Sequence, residues 1–349
     1  MTLTRESLEE ATRELYEIVQ PTPQYAWPLL QERLGLEIWV KHENFHPVGS
    51  FKLRGAVAYL QHLKNTQPHI NCVITATRGN FGQGVAYAAK HLGLTATVLT
   101  PIGNSPDKNR AMRAWGAELI EIGSDFQDTC EQMHAIATER GLHIIPSFHE
   151  RLVMGTASIG LELFGACPDL DVVYSSIGLG SNICGLIAAR DALGLKTKIV
   201  GVVSSAVPAY AESFKQKTCV ESPAGGVTIA DGLDCRKPNE EALAMMFEGL
   251  DHVVTVDDEQ IRDAMRTYFE DTHMIAEGAG AAPLAGLVAE KMHYASSQKV
   301  GVILCGGNVT AERYMSAWGA IVPMQSSTQI GQSSVENKSS QASRQNKIT

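Results

Sequence analysis

Short bursts rich in Val and Ile alternate along this chain with longer stretches of helical period, and that alternation limits what it can fold into. The bursts include Ile38–Lys41, Val73–Ala76, Ala96–Thr100, Leu119–Ile122, Val172–Ser175, Ile199–Val203 and Val300–Leu304. Between them, Leu53–Leu63, Gln83–Leu92, Pro106–Trp115, Asp125–Glu139, Asn182–Leu193 and Asp258–Glu270 carry helical periodicity. Strands alternating with helices build βαβ units and parallel sheet, with ligands at the carboxyl ends of the strands. Three such units fall between about residues 72 and 146 and form a compact lobe inserted into a larger one. The segment 325–349, rich in Ser, Gln, Asn and Lys, lacks the apolar surface to offset its ordering entropy and reads as a disordered tail.

With 349 residues, 44% of them hydrophobic, the chain can bury a large core. A formal net charge of −9 argues against nucleic acid or an anionic membrane as partner. It leaves small anionic ligands open, because backbone amides hold those. The cysteines at 72, 130, 167, 184, 219, 235 and 305 form no CxxC pair, which suits a reducing cytoplasm. The amino-terminal stretch reads as an amphipathic helix, and no apolar run is long enough to span a bilayer.

Chemistry gathers where bursts end. In KHENFHPVGSFKLRGA, residues 41–56, a strand closes, a Pro/Gly loop follows and a helix opens near Ser50, so Lys52 sits in its first turn. The positive end of a helix disfavours an ammonium, and a neutral amine is what Schiff-base chemistry needs. Taken alone, a lysine is far more often a solvated helix residue. TATRGNFGQGVAY, residues 75–87, places Gly79, Asn80, Gly82 and Gly84 at a strand-to-helix turn. SSIGLGSNICG, residues 175–185, places Gly178, Gly180, Ser181 and Asn182 at another, where consecutive amides cradle a phosphate. That loop lacks the glycine spacing and the downstream acid of a dinucleotide site. LCGGNV, residues 304–309, sets Cys305 at a strand tip. None of the histidines shows metal-ligand spacing, and no metal is expected. His149 and Glu150 suit a helix cap.

In order and spacing, Lys41–Ala56, Thr77–Gln83, Ser176–Gly185 and Cys305–Asn308 resemble the fold type II pyridoxal phosphate enzymes, and within them the threonine/serine dehydratases. The resemblance runs from about residue 15 to 322. It implies two open, mostly parallel twisted sheets flanked by helices, the smaller lobe (53–146) inserted in a large cofactor-binding domain (1–52 and 147–324). It implies pyridoxal 5'-phosphate bound as a Schiff base to Lys52, beside Phe51, with Asn80 on its ring hydroxyl. Gly178, Leu179, Gly180, Ser181 and Asn182 would take its phosphate, and Cys305 would face its ring nitrogen. Ser50 and the turn Thr77, Arg78, Gly79, Asn80 and Phe81 would receive the substrate, with Glu277 lining the site. Lys52, helped by Ser50, would drive loss of the β-hydroxyl from threonine, serine or phenylserine, leaving a 2-oxo acid and ammonia. A homodimer is the family's habit.

Three departures matter. Arg78 replaces the acid/base serine of serine racemases, and an arginine is a poor proton shuttle. It either pairs with the α-carboxylate of the substrate or with a second carboxylate, as in 3-hydroxyaspartate, or forms a salt bridge on the lobe surface. Phe81 replaces a histidine and makes the pocket more apolar. SSAVPAYAES, after strand Ile199–Val203, lacks the acids that bind a cation in relatives. β-Replacement and racemisation remain rival reactions on the same scaffold.

Overall fold

The computed structural model describes residues 3–223 and 226–319; the tail predicted over 325–349 lies outside them. Ten strands are present among the described residues: β1 (Gln24–Ala26), β2 (Glu37–His42), β3 (Cys72–Ala76), β4 (Thr95–Thr100), β5 (Glu118–Glu121), β6 (His143–Ile144), β7 (Val172–Ser176), β8 (Lys198–Ser204), β9 (His252–Val256) and β10 (Lys299–Leu304). The helices are α1 (Arg5–Leu15), α2 (Pro28–Leu34), α3 (Lys52–Thr66), α4 (Asn80–Leu92), α5 (Pro106–Ala114), α6 (Phe126–Arg140), α7 (Glu150–Ala166), α8 (Ser181–Ala192), α9 (Ala209–Gln216), α10 (Glu240–Gly249), α11 (Asp258–Thr272), α12 (Gly278–Glu290) and α13 (Ala311–Ser316).

The strands form two sheets, in the orders β1-β2-β10-β7-β8-β9 and β5-β4-β3-β6. Of these strands, only β1 runs antiparallel to its neighbour. This is the α/β arrangement with parallel sheet that the alternation of bursts and helices predicts, in the two open, mostly parallel sheets that the resemblance implies. Parallel strands covered on both faces read as continuous apolar runs. In β7 and β10 every residue is buried except the first of β10. The four-stranded sheet draws only on residues 72–144.

Strand order decides where the ligand loops meet. β2, β10 and β7 are adjacent. Their carboxyl ends therefore bring together the segment before Lys52, the Cys305 tip and the Gly178 loop. Three backbone contacts lock the first two: Phe51 N–H donates to Cys305 O (3.0 Å), Gly307 N–H donates to Gly49 O (2.9 Å), and Ser50 bridges Gly306. The helix predicted to open near Ser50 begins at Lys52 instead, because these bonds hold Ser50 as an extended residue.

Behind this junction lies a buried charge network. Arg54, fully buried, donates to Glu43 (2.7 and 2.9 Å), Glu162 (2.5 and 2.9 Å), Ser158 (2.8 Å) and Thr22 (3.1 Å). Lys41 adds bonds to Glu162 (2.5 Å), Thr22 O (2.5 Å) and Gln24 (3.1 Å). Burial pushes both carboxyls up, but Arg54 outweighs it, helped by His46 at Glu43 and Lys41 at Glu162, and both stay below the ordinary range. The network fastens α3 to β2 and α7. Gly155 of α7 lets α3 pack close, since a methyl there would strike the Arg54 carbonyl. His149 caps α7 through Nδ1, which accepts from the Arg151 N–H at 3.0 Å, as its sequence position suggests.

Candidate active site

Lys52 opens α3 with its amine facing Phe51 and Phe81, 4.9 and 6.0 Å from their ring centres. Although the residue keeps partial exposure, the protein packed round the amine desolvates it, and that is the largest influence on its pKa. Burial pushes it down; Cys305, Cys235 and Glu277 oppose this more weakly. The helix-end argument therefore gives the right direction, with desolvation as the main cause. Among the described residues, no side chain or carbonyl accepts a hydrogen bond from this amine.

The Gly178 loop follows β7. From Gly178 to Ile183, no backbone N–H finds an acceptor among the described residues; Cys184, the next, donates to Gly180 O at 3.0 Å. Gly180 takes a φ of 103°, where a side chain would be strained and would meet Met246 and Ala242 at 2.7 and 2.8 Å. Consecutive unpaired amides running into the first turn of α8 make an anion cradle. Tyr210 anchors the loop from outside, its hydroxyl donating to Leu179 O at 3.0 Å. Asn182 donates to Ser175 Oγ (3.0 Å), while its Oδ1 is buried without a partner.

Cys305 is buried and near the same loop: its Sγ lies 3.3 Å from Ser176 Oγ and donates to Ala279 O at 3.4 Å. Burial, with the nearby Glu277 carboxyl, pushes the thiol up to about 12, so it is neutral. Ser50 Oγ is another buried atom without a partner. At the turn after β3, Thr77 Oγ1 accepts from Gly79 N–H (3.0 Å) and Gly82 N–H (3.4 Å). That leaves the Arg78, Asn80 and Phe81 amides without acceptors among the described residues.

Several partners here have no local signal in the sequence. Arg78 pairs with Asp234 (2.9 Å), and Lys108 of α5 with Asp231 (2.7 Å). Asp231 and Asp234 belong to one short turn between α9 and α10, so this turn fastens across to both cations. Glu277, the residue capping α12, accepts from Asn80 Nδ2 at 2.6 Å, and Lys108 stands 4.0 Å from its second oxygen. Gly306 makes room for that carboxyl, because a methyl at 306 would collide with it. Burial raises the Glu277 carboxyl to about 7; Lys108 pulls it down and Asp231 pushes it up.

The residues fit a phosphorylated aldehyde cofactor: a desolvated amine, an anion cradle, and buried Ser50 and Asn182 oxygens awaiting partners. The comparisons agree. The family model described as "Pyridoxal-phosphate dependent enzyme" matches residues 15–306. An L-threonine ammonia-lyase of Geobacter sulfurreducens is 34% identical over 86% of this chain and 75% of its own. The catabolic L-threonine dehydratase of Staphylococcus aureus is 32% identical over 88% and 89%. Among solved structures, the processed form of threonine deaminase isoform 2 from Solanum lycopersicum superposes with a TM-score of 0.83 at 26% identity, covering 89% of this chain and 92% of that one. A pyridoxal 5'-phosphate-dependent aspartate racemase gives 0.83 at 26% identity, covering 89% and 97%. The chain belongs to the family of pyridoxal-phosphate-dependent enzymes.

Proposed function

We propose that this enzyme removes the β-hydroxyl of a small β-hydroxy amino acid, of the threonine, serine or phenylserine type, to give a 2-oxo acid and ammonia. One observation carries the reading: an unpartnered, desolvated lysine amine lies within Coulombic reach of Cys305, which touches Ser176 at the root of the unpaired Gly178–Ile183 amides.

When bound, pyridoxal phosphate supplies an electron sink for charge released at the substrate Cα. The chain does the rest. Lys52 would hold the aldehyde, and its free amine would take the Cα proton at Nζ. It is suited to this because burial favours its neutral form. Gly178, Leu179, Gly180, Ser181 and Asn182 would hold the phosphate through their N–H groups, which have no acceptor among the described residues. Ser50 Oγ and the unpaired amides of Arg78, Asn80 and Phe81 receive the substrate carboxylate at the head of α4. Phe51 and Phe81 exclude water from the amine. The neutral Cys305 thiol would bring no negative charge to a ring nitrogen held beside it, and so would not favour a proton there.

Arg78 bears on the alternative substrate, 3-hydroxyaspartate. Its guanidinium is already paired with Asp234, so a second substrate carboxylate would have to displace that partner. Phe81 beside Lys52 favours an uncharged side chain instead. To the same reading belong a smaller lobe over 53–146, a homodimer and a cytoplasmic setting; the last rests on seven free cysteines. No described helix is long and apolar enough to cross a membrane.

The test is spectroscopic, then catalytic. The purified protein should show the visible absorbance of lysine-bound pyridoxal phosphate, and borohydride should abolish it together with activity. Threonine, serine, phenylserine and threo-3-hydroxyaspartate should then be assayed for 2-oxo acid and ammonia without added thiol. A protein that lacks the band, or that only racemises these substrates, overturns the reading.

A further inference from the structure

Asn80 is held at both ends of its amide. Its Nδ2 donates to Glu277 Oε1 at 2.6 Å, and its Oδ1 accepts from Asn308 Nδ2 at 2.9 Å. Asn308 Nδ2 also donates to the Val48 carbonyl at 2.7 Å. Amide nitrogen and oxygen look alike by shape, so the orientation must follow from the partners. A backbone carbonyl only accepts, which makes the Asn308 atom facing Val48 the nitrogen. Its other hydrogen then points at Asn80, whose facing atom must be the oxygen. The Asn80 nitrogen is left to Glu277 and keeps one N–H unused.

We propose that Asn308 and Glu277 are positioning residues that lock the Asn80 amide so that it offers the cleft an N–H donor and never its carbonyl. The group Asn80 selects is therefore an acceptor oxygen, such as the ring oxygen of pyridoxal phosphate. The inference rests on the reading of this cleft as the cofactor site. It draws on three separate segments: Val48 on the approach to Lys52, Asn308 beyond the β10 tip, and Glu277 at the head of α12. Gly49 is part of the device, since a methyl there would meet Asn308 Oδ1 at 2.5 Å. Without Asn308 only the bond to Glu277 holds the amide's orientation, and an amide that turns over presents oxygen to oxygen, a repulsive pairing inside a poorly hydrated site.

A double-mutant cycle tests this, because a residue that acts only through another adds nothing once that other is gone. The apparent dissociation constant of pyridoxal phosphate and the position of its visible band are measured for the parent protein, N80A, N308A and the double variant. N308A is expected to weaken the cofactor by about tenfold and to shift the band, as N80A does. The double variant is expected to match N80A within about twofold. Independent losses, roughly hundredfold in the double variant, or an N308A protein with parental band and affinity, overturn the proposal. Should N308A not fold, the pair E277Q and E277L serves. Gln keeps an acceptor for Asn80 and should preserve the band, whereas Leu removes it and should shift the band; equal behaviour of the two overturns the proposal. A parent protein with no lysine-bound band would instead remove the cofactor site itself.

Discussion

Two clusters of buried polar groups lie back to back in this molecule and differ in one respect. Around Arg54, donors and acceptors meet: Glu43, Glu162, Lys41, Thr22 and Ser158 surround the guanidinium. Around Lys52 they do not: the amine, Ser50 Oγ, Asn182 Oδ1 and the Gly178–Ile183 amides have no partners within the described chain. Both clusters adjoin the carboxyl end of β2, and Arg54 lies within the first turn of the helix that Lys52 opens. A buried polar atom left unsatisfied costs stability and persists only where something is gained from it. The first cluster is scaffold, and the second is reserved for a ligand. Substitutions should separate them, with loss of activity on one side and loss of stability on the other.

The largest effect belongs to the unsatisfied cluster. Lys52→Ala should lower turnover by at least about 10²–10⁴-fold, the usual contribution of a general base, and more if the covalent link is needed. Its midpoint of urea unfolding, without cofactor, should equal or exceed that of the parent, since a desolvated amine has been removed. A large fall in that midpoint would return Lys52 to the scaffold. Arg54→Met should do the reverse. It strands Glu43 and Glu162 in the interior and should cost about 3–5 kcal/mol of unfolding free energy. If the denaturation midpoint barely moved, the network would not be what fastens α3 to β2 and α7.

Glu277, on the Lys52 side, shares a feature of each cluster: one oxygen is satisfied and the other is not. In the unfolded chain its carboxyl titrates near 4.5, and in the cofactor-free folded protein near 7. Between those values the folded state holds the extra proton, so the group adds no penalty below about 4.5. Its penalty grows as pH rises and is complete above about 7. Glu277→Gln should therefore stabilise the cofactor-free protein at pH 8 by on the order of 1–3 kcal/mol. The gain should vanish near pH 4. Thermal midpoints of both proteins across that range check it, and a pH-independent difference would refute the charge explanation.

This division explains what the sequence makes legible. All seven named bursts are strands: six are buried parallel strands, which announce themselves as apolar runs, and the seventh, β5, is a half-exposed edge strand carried by its own Leu and Ile. The strands that escape the pattern are the weak ones. β1 has three residues, β6 has two, and β9 is an edge strand that is half-exposed over most of its length. The candidate ligand loops are legible because glycines and strand ends mark them locally. Their supporting partners were not. Asn308 lies inside a recognised motif, yet its bond to Asn80 spans 228 positions. Nothing near Lys108 or Arg78 signals Asp231 or Asp234, since chain separation hides a pairing that only topology creates.

The smallest expected effect sharpens the comparison most, because it falls on a pair outside both clusters. Arg78 and Asp234 are 43% and 17% exposed in their side chains, compared with 0% for Arg54 and Glu43. A solvated pair of this kind contributes about 0–1 kcal/mol, so Arg78→Ala should barely change the denaturation midpoint. Its position is another matter, for it stands in the turn whose unpaired amides are proposed to take the substrate carboxylate. If the guanidinium serves mainly to hold the Asp231–Asp234 turn over the cleft, R78A should raise KM for threonine modestly, and Asp234→Asn should reproduce the same change. If it reads a second carboxylate, R78A should spare threonine and remove activity on 3-hydroxyaspartate, while D234N should improve that substrate by freeing the cation. The pairing with Asp234 favours the first outcome, and steady-state rates on the two substrates distinguish them.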